Sequence, residues 1–196
     1  MAAKGRMQPA VDSWLAGIRF SQDVAKGGTL IFALIGKAML LPNLRALAHE
    51  AQSKSLDVSQ CKQVESAIRA LPETAFDWGE AMRREEANVD LFFDRMKDSP
   101  DPSAYYEAVM GQAPGKDFSL PSLSERAAYH KVMTSVEAGL RQPPDSAGPR
   151  LAMLQEQIQK MPPPFQRANP SFTRINEART EIASSLTSLK TVLAGN

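Results

Sequence analysis

Two histidines, one cysteine and a row of carboxylates are the side chains in this 196-residue sequence whose types could carry chemistry. His49 adjoins Glu50 near the end of a helical stretch, where a partly charged imidazole complements the helix dipole. His130 falls near the apolar side of its own helical stretch, which predicts a semi-buried, hydrogen-bonded histidine and shows no partner for general-base work. Neither belongs to a Glu-x-x-His or His-Glu-x-x-His arrangement, so a di-metal bundle site is not expected. Glu80, Glu85, Glu86, Asp90 and Asp94 lie on one stretch, and the last three recur every four residues, as a cation-binding stripe would. Arg83, Arg84, Arg95 and Lys97 lie among them, however, and Glu80 precedes Arg84 by four residues, which predicts a solvated, salt-bridged face.

Cys61 is the only cysteine, which excludes an internal disulfide, a cysteine zinc site and an iron–sulfur cluster within the chain. It sits on an apolar stripe with no second cysteine nearby and no obvious basic partner, as an inert buried thiol would. No serine lies in a Gly-x-Ser-x-Gly setting. Gly27 and Gly28 precede a helix start, but with no strand before them and no phosphate-loop lysine after them they read as a tight turn between helices. Trp14, Trp78, Tyr105, Tyr106 and Tyr129 could line an apolar pocket, although core packing accounts for each of them as well. No catalytic, cofactor-binding or metal-ligating residue is therefore assigned, and the chain is not expected to be an enzyme.

The elements that would hold these residues are helical almost throughout. Apolar residues recur every three or four positions, and no run alternates with period two. The expected fold is all-α: an irregular multi-helix bundle of about seven or eight helices, forming a single domain over residues 1–196 that divides into sub-bundles 8–98 and 99–196. Val11, Trp14, Leu15 and Ile18 make the stripe of a first helix ending at Gly27-Gly28, and Thr29 caps a second. That second helix, apolar on most sides from Leu30 to Leu41, reads as the central one, kinked at Pro42, so that Leu34→Ala or Ile35→Ala would cost about 2 to 5 kcal/mol. At 13 residues, interrupted by Lys37, the run Thr29–Leu41 is short for a membrane span of roughly 20. Asp57 with Gln60, and Ser122 with Glu125, are capping boxes for further helices, and Thr74 with Asp77 opens another. A short helix is expected over 103–110, followed by a loop over 111–121 that is the strongest candidate for mobility. One more helix is expected to start at Pro149, and a last one at Asn169-Pro170. Phe172, Ile175, Ile182, Leu186, Leu189 and Leu193 form a heptad-like seam on that last helix, broken only by Arg179.

Asp12 to Ile31, with its Gly-Gly-Thr-Leu-Ile turn, followed by Ala33-Leu-Ile-Gly-Lys-Ala and later by Leu71-Pro72 and Arg84-Glu85, resembles an uncharacterised all-helical family of bacterial envelope proteins. The resemblance covers about the first hundred residues and implies a periplasmic or exported domain held by an N-terminal anchor or signal. Met1 to Met7, with Lys4 and Arg6 but no apolar stretch behind them, does not supply one, which keeps the cytoplasm as the alternative address. The first helix pair is also similar to a tetratricopeptide hairpin, without the repeat of about 34 residues.

Twenty-three Lys and Arg against 22 Asp and Glu leave a net charge of +1, which gives no field for nucleic acid or an anionic membrane. The expected function is a non-enzymatic interaction or scaffold domain that meets an unknown partner, or its own copy, through the helix at 170–194. The alternative is a carrier of a small molecule or lipid in a pocket between helices.

Overall fold

The structure is a computed structural model that describes residues 7–115 and 118–195. Among them lie eight helices of nine residues or more and one of six: α1 (Met7–Lys26), α2 (Leu30–Gln52), α3 (Val58–Arg69), α4 (Trp78–Asp98), α5 (Pro102–Met110), α6 (Leu123–Leu140), α7 (Pro144–Gln159), α8 (Pro163–Ala168) and α9 (Phe172–Ala194). No strand occurs among the described residues, so the all-α multi-helix bundle is the fold. Lys116 and Asp117, inside the loop expected to be mobile, lie outside the described residues.

Local chemistry sets most helix starts. The Asp57 carboxylate accepts from the Gln60 amide at 2.9 Å while the Gln60 side chain accepts from the Asp57 amide, and Ser122 with Glu125 repeats the arrangement. Asp77 accepts from the Glu80 amide at 2.8 Å and Asp101 from Ala104 at 3.0 Å, each satisfying a first-turn N–H that the helix cannot. Thr29 occupies the cap position of α2, but only its backbone carbonyl takes part, accepting from Phe32 at 3.0 Å. Two starts differ from the sequence expectation. The tandem Pro143-Pro144 begins α7, with Pro144 in the first turn and Pro149 inside the helix. Ser171, not Asn169, caps α9, because the Asn169 side chain is taken by the Phe165 carbonyl and the Tyr129 hydroxyl.

The helices pack as an α1–α2 hairpin that α9 joins through α2, with α9 against α7, α7 against α6 and α6 against α4. One continuous apolar core runs through them, from Val11 and Leu15 to Leu189 and Leu193. Glycine sets the closest approach. A methyl group at Gly36 would stand 2.9 Å from the Ser21 carbonyl oxygen and 3.1 Å from the Ala25 Cβ, so only a hydrogen there lets α2 lie this close to α1.

This contact fixes which side of α2 faces inward, and it corrects the expectation of a helix covered all round. Leu30, Ala33, Gly36, Leu40, Leu44, Leu47 and Ala51 face the core, whereas Ile31, Phe32, Leu34 and Ile35 are 61%, 44%, 39% and 45% exposed. Pro42 lies within a helix that continues to Gln52, and α2 is central along one side only. Leu123 on α6 and Val58 on α3 are likewise exposed.

Because Leu47 is wholly buried and Leu34 is not, Leu47→Ala should cost about 2 to 5 kcal/mol in urea unfolding, whereas Leu34→Ala should stay within about 0.5 kcal/mol of the parent. Equal losses would place Leu34 in the core after all.

Candidate functional site

Three assemblies of side chains offer something beyond a plain core. The first lies between α4 and α6. Glu86, Asp90 and Asp94 do recur on one face of α4, but that face turns toward α6, where it meets Arg126 and His130. His130 Nδ1 stands 2.7 Å from Glu86 Oε1 and Nε2 stands 3.3 Å from Asp90 Oδ1. Arg126 reaches Asp94 at 2.6 Å and Asp90 at 3.2 Å, with its guanidinium 6.0 Å from the centre of the Phe93 ring. The stripe is therefore an interhelical clasp, which corrects the expected solvated face, and His130 has two partners where its sequence context showed none. It lines none of these four clefts: those at the α3–α4 connection, between α7 and α9, and at the start of α6. No group of three or more His, Cys, Asp or Glu side chains among the described residues is arranged to hold a metal ion.

The second assembly flanks the connection between α3 and α4. Ala75 there takes φ +61°, left-handed backbone that an alanine adopts only under strain, and Trp78 donates its indole N–H to the Thr74 carbonyl at 3.1 Å. A cleft opens on each side of this segment. One, of about 450 Å³, lies between it and the α6–α7 turn, with Phe76 and Trp78 on one wall, Arg141 and Pro143 on the other, and Arg179 of α9 at its base. The other, of about 420 Å³, reaches the end of α1. There Glu80 accepts from Arg83 at 2.7 and 2.8 Å and from Arg84 at 2.9 Å, and Arg84 in turn donates to the Lys26 carbonyl at 3.0 Å, closing the C-terminal end of α1. The expected Glu80–Arg84 pair is thus present. Hydrogen bonds from the two arginines hold the Glu80 carboxyl well below the usual carboxylate range, at about 2.

The third is the outward side of α2, where Ile31, Phe32, Leu34 and Ile35 are exposed. Phe32 folds back over Gly28, whose missing Cβ would stand 2.1 Å from the ring. Between Gly28 and Pro42 the only charged residue of α2 is Lys37, and its ammonium is engaged by Glu181 at 2.5 Å. Of the described helices, α2 alone is long and apolar enough to cross a membrane, with mean hydropathy 1.6 over a window that is 39% buried within the bundle.

The other residues singled out by type do not converge. His49 lies near the end of α2, where its carbonyl accepts from Ser53. Cys61 is half-buried, and burial with the nearby Asp57 charge pushes its thiol up, away from the nucleophilic thiolate. Tyr129 is a core residue stacked on Phe165, which meets Phe93, the buried Tyr106 lies against Phe92 and Phe118, Tyr105 stacks on Phe92, Trp14 is half-buried on α1, and of these rings Trp78 edges a cleft. Burial raises the Tyr129 phenol, whose O–H donates to Asn169 at 3.1 Å. The seam expected on α9 is present, with Phe172, Ile175, Ile182, Leu186, Leu189 and Leu193 all buried, but the chain's own α2 and α7 cover it. Its apolar side chains are therefore not available to a partner. Arg179, which seemed a polar break in that seam, is itself 99% buried, because only 1% of it is exposed.

No family model, no curated protein and no solved structure matches the chain.

Because Glu80 is depressed in the folded chain, the stability it adds is present above the ordinary carboxylate range and is lost as pH falls through about 2. Carbon-detected NMR should show Glu80 titrating near that value. The stability gap between the parent and Glu80→Gln should be present at neutral pH and vanish at the acid end, and a gap that persists there would contradict the pairing.

Proposed function

We propose that this chain is a non-enzymatic helical scaffold domain that assembles with a second copy of itself through the outward side of α2. The observation that carries the reading is the set Ile31, Phe32, Leu34 and Ile35, four large apolar side chains within five residues left in contact with water by a helix whose opposite side faces the core. Contiguous exposed apolar surface of this kind marks a contact site rather than an ordinary solvated face. A two-fold contact places the same patch on both chains, which repels itself wherever the patch carries charge. This one carries almost none, because Lys37 is engaged by Glu181 within the chain. Ile31, Leu34, Ile35 and Ala38 also keep the three- and four-residue spacing with which one helix packs along another. The resemblance of residues 12–38 to envelope proteins supports a place in the cell envelope.

Sedimentation equilibrium of the full chain tests this. The parent should show a monomer–dimer equilibrium at micromolar to sub-millimolar concentration, and Ile31→Asp with Ile35→Asp should be monomeric while melting within a few degrees of the dissociated parent. A parent that stays monomeric throughout overturns self-assembly. If that monomer then floats with neutral phosphatidylcholine vesicles and the double variant does not, the same face meets lipid instead.

A further inference from the structure

We propose that the cleft between the α3–α4 connection and the α6–α7 turn binds a small organic monocarboxylate, received by Arg179 at its base with the apolar part of the molecule against Phe76, Trp78 and Pro72. The inference starts from a buried guanidinium that forms no ion pair, with Glu73 acting on it only through its field. Taking a guanidinium out of water costs several kcal/mol unless carboxylates or a full set of hydrogen bonds repay it. Arg179 is 1% exposed on a helix side otherwise made of Ile175, Ala178 and Ile182. Its Nη1 donates to Asn176 Oδ1 at 2.8 Å and its Nη2 to the Gln142 carbonyl, both neutral acceptors. Its Nε has no partner, and it forms no ion pair among the described residues. Three of the five N–H donors of the guanidinium are thus unused.

The rest of the cleft says which anion suits this group. A guanidinium edge and a carboxylate match as two parallel hydrogen bonds, which a spherical anion cannot provide. The volume of about 450 Å³ lies within the range of small-molecule sites, and the walls that Pro72, Phe76, Trp78 and Pro143 supply are apolar, so a bare inorganic ion would leave most of the space unfilled. Arg141, on the facing wall, is paired with Glu137 at 2.6 Å. Its side chain lies across the start of α4, where a methyl at Gly79 would stand 2.9 Å from its Cγ and Nε. Glu73 and Asp77 also line the cleft, and Asp77 is committed to capping α4.

Trp78 offers the readout. In Trp14→Phe it becomes the only indole, and sodium hexanoate, hexanamide and inorganic phosphate are titrated separately at matched ionic strength. Hexanoate should change Trp78 fluorescence saturably, hexanamide and phosphate should bind at least about tenfold more weakly, a free-energy difference of about 1.4 kcal/mol, and Arg179→Met should abolish the response. No saturable change, equal binding of hexanamide or phosphate, or a response that survives Arg179→Met overturns the proposal. Should Arg179→Met fail to fold, Glu73→Gln carries the test. It should tighten hexanoate binding severalfold by removing a negative charge from the cleft, and unchanged or weaker binding overturns the proposal.

Discussion

The close approach of α1 and α2 at Gly36 is the contact on which the rest of the molecule turns. With no side chain between the Ser21 carbonyl and the α2 backbone, the two helices meet nearly backbone to backbone, and the rotation of α2 about its axis is fixed. Ala33 and Leu40 then face inward, the side chains that α4 and α9 pack against come from that same side, and Ile31, Leu34 and Ile35 have nowhere to go but outward. The exposed apolar run is thus a consequence of the hairpin geometry that builds the core. A larger residue at position 36 would roll α2 and trade one side for the other.

The features legible in the sequence are those decided within a few residues. The capping boxes at Asp57 and Ser122 were visible because donor and acceptor sit three positions apart, and the α9 stripe was visible because its polar residues interrupt the apolar ones at helical spacing. The orientation of α2 was not visible, because a helix apolar on nearly every side carries no pattern that says which side is covered. The packing that decides it involves Ser21, Ala25 and Phe76, which are close only in space. His130 looked unpartnered for a similar reason, since Glu86 lies 44 residues away. Arg179 did leave a signal: a charge at a seam position of an otherwise apolar helix. Reading it as a mere interruption missed that such a residue is either solvated or engaged, and here its surroundings are dry.

Charge is distributed with the same economy. The α4–α6 clasp uses Glu86, Asp90 and Asp94 to hold Arg126 and His130 across the helix pair, and Glu181 holds Lys37 and Arg45 of α2. Cations near the core are thus met by carboxylates, with Arg179 as the exception among the described residues. Where the core ends, at the outward side of α2, charge is nearly absent. These two departures, a buried guanidinium without a counter-ion and an exposed face without polar residues, are the places where the sequence spends stability for no structural return. They are also where the two binding proposals lie, one for a small carboxylate and one for a second chain.

The most direct measurement is a dipolar electron resonance experiment with a nitroxide at Ala38, introduced as Ala38→Cys in a Cys61→Ala background. Pairing along α2 predicts a short, well-defined distance between labels on two chains, and a much longer one from a label placed at Lys160. A signal at Ala38 no stronger than that of dilute, unassociated molecules would contradict the role assigned to this face.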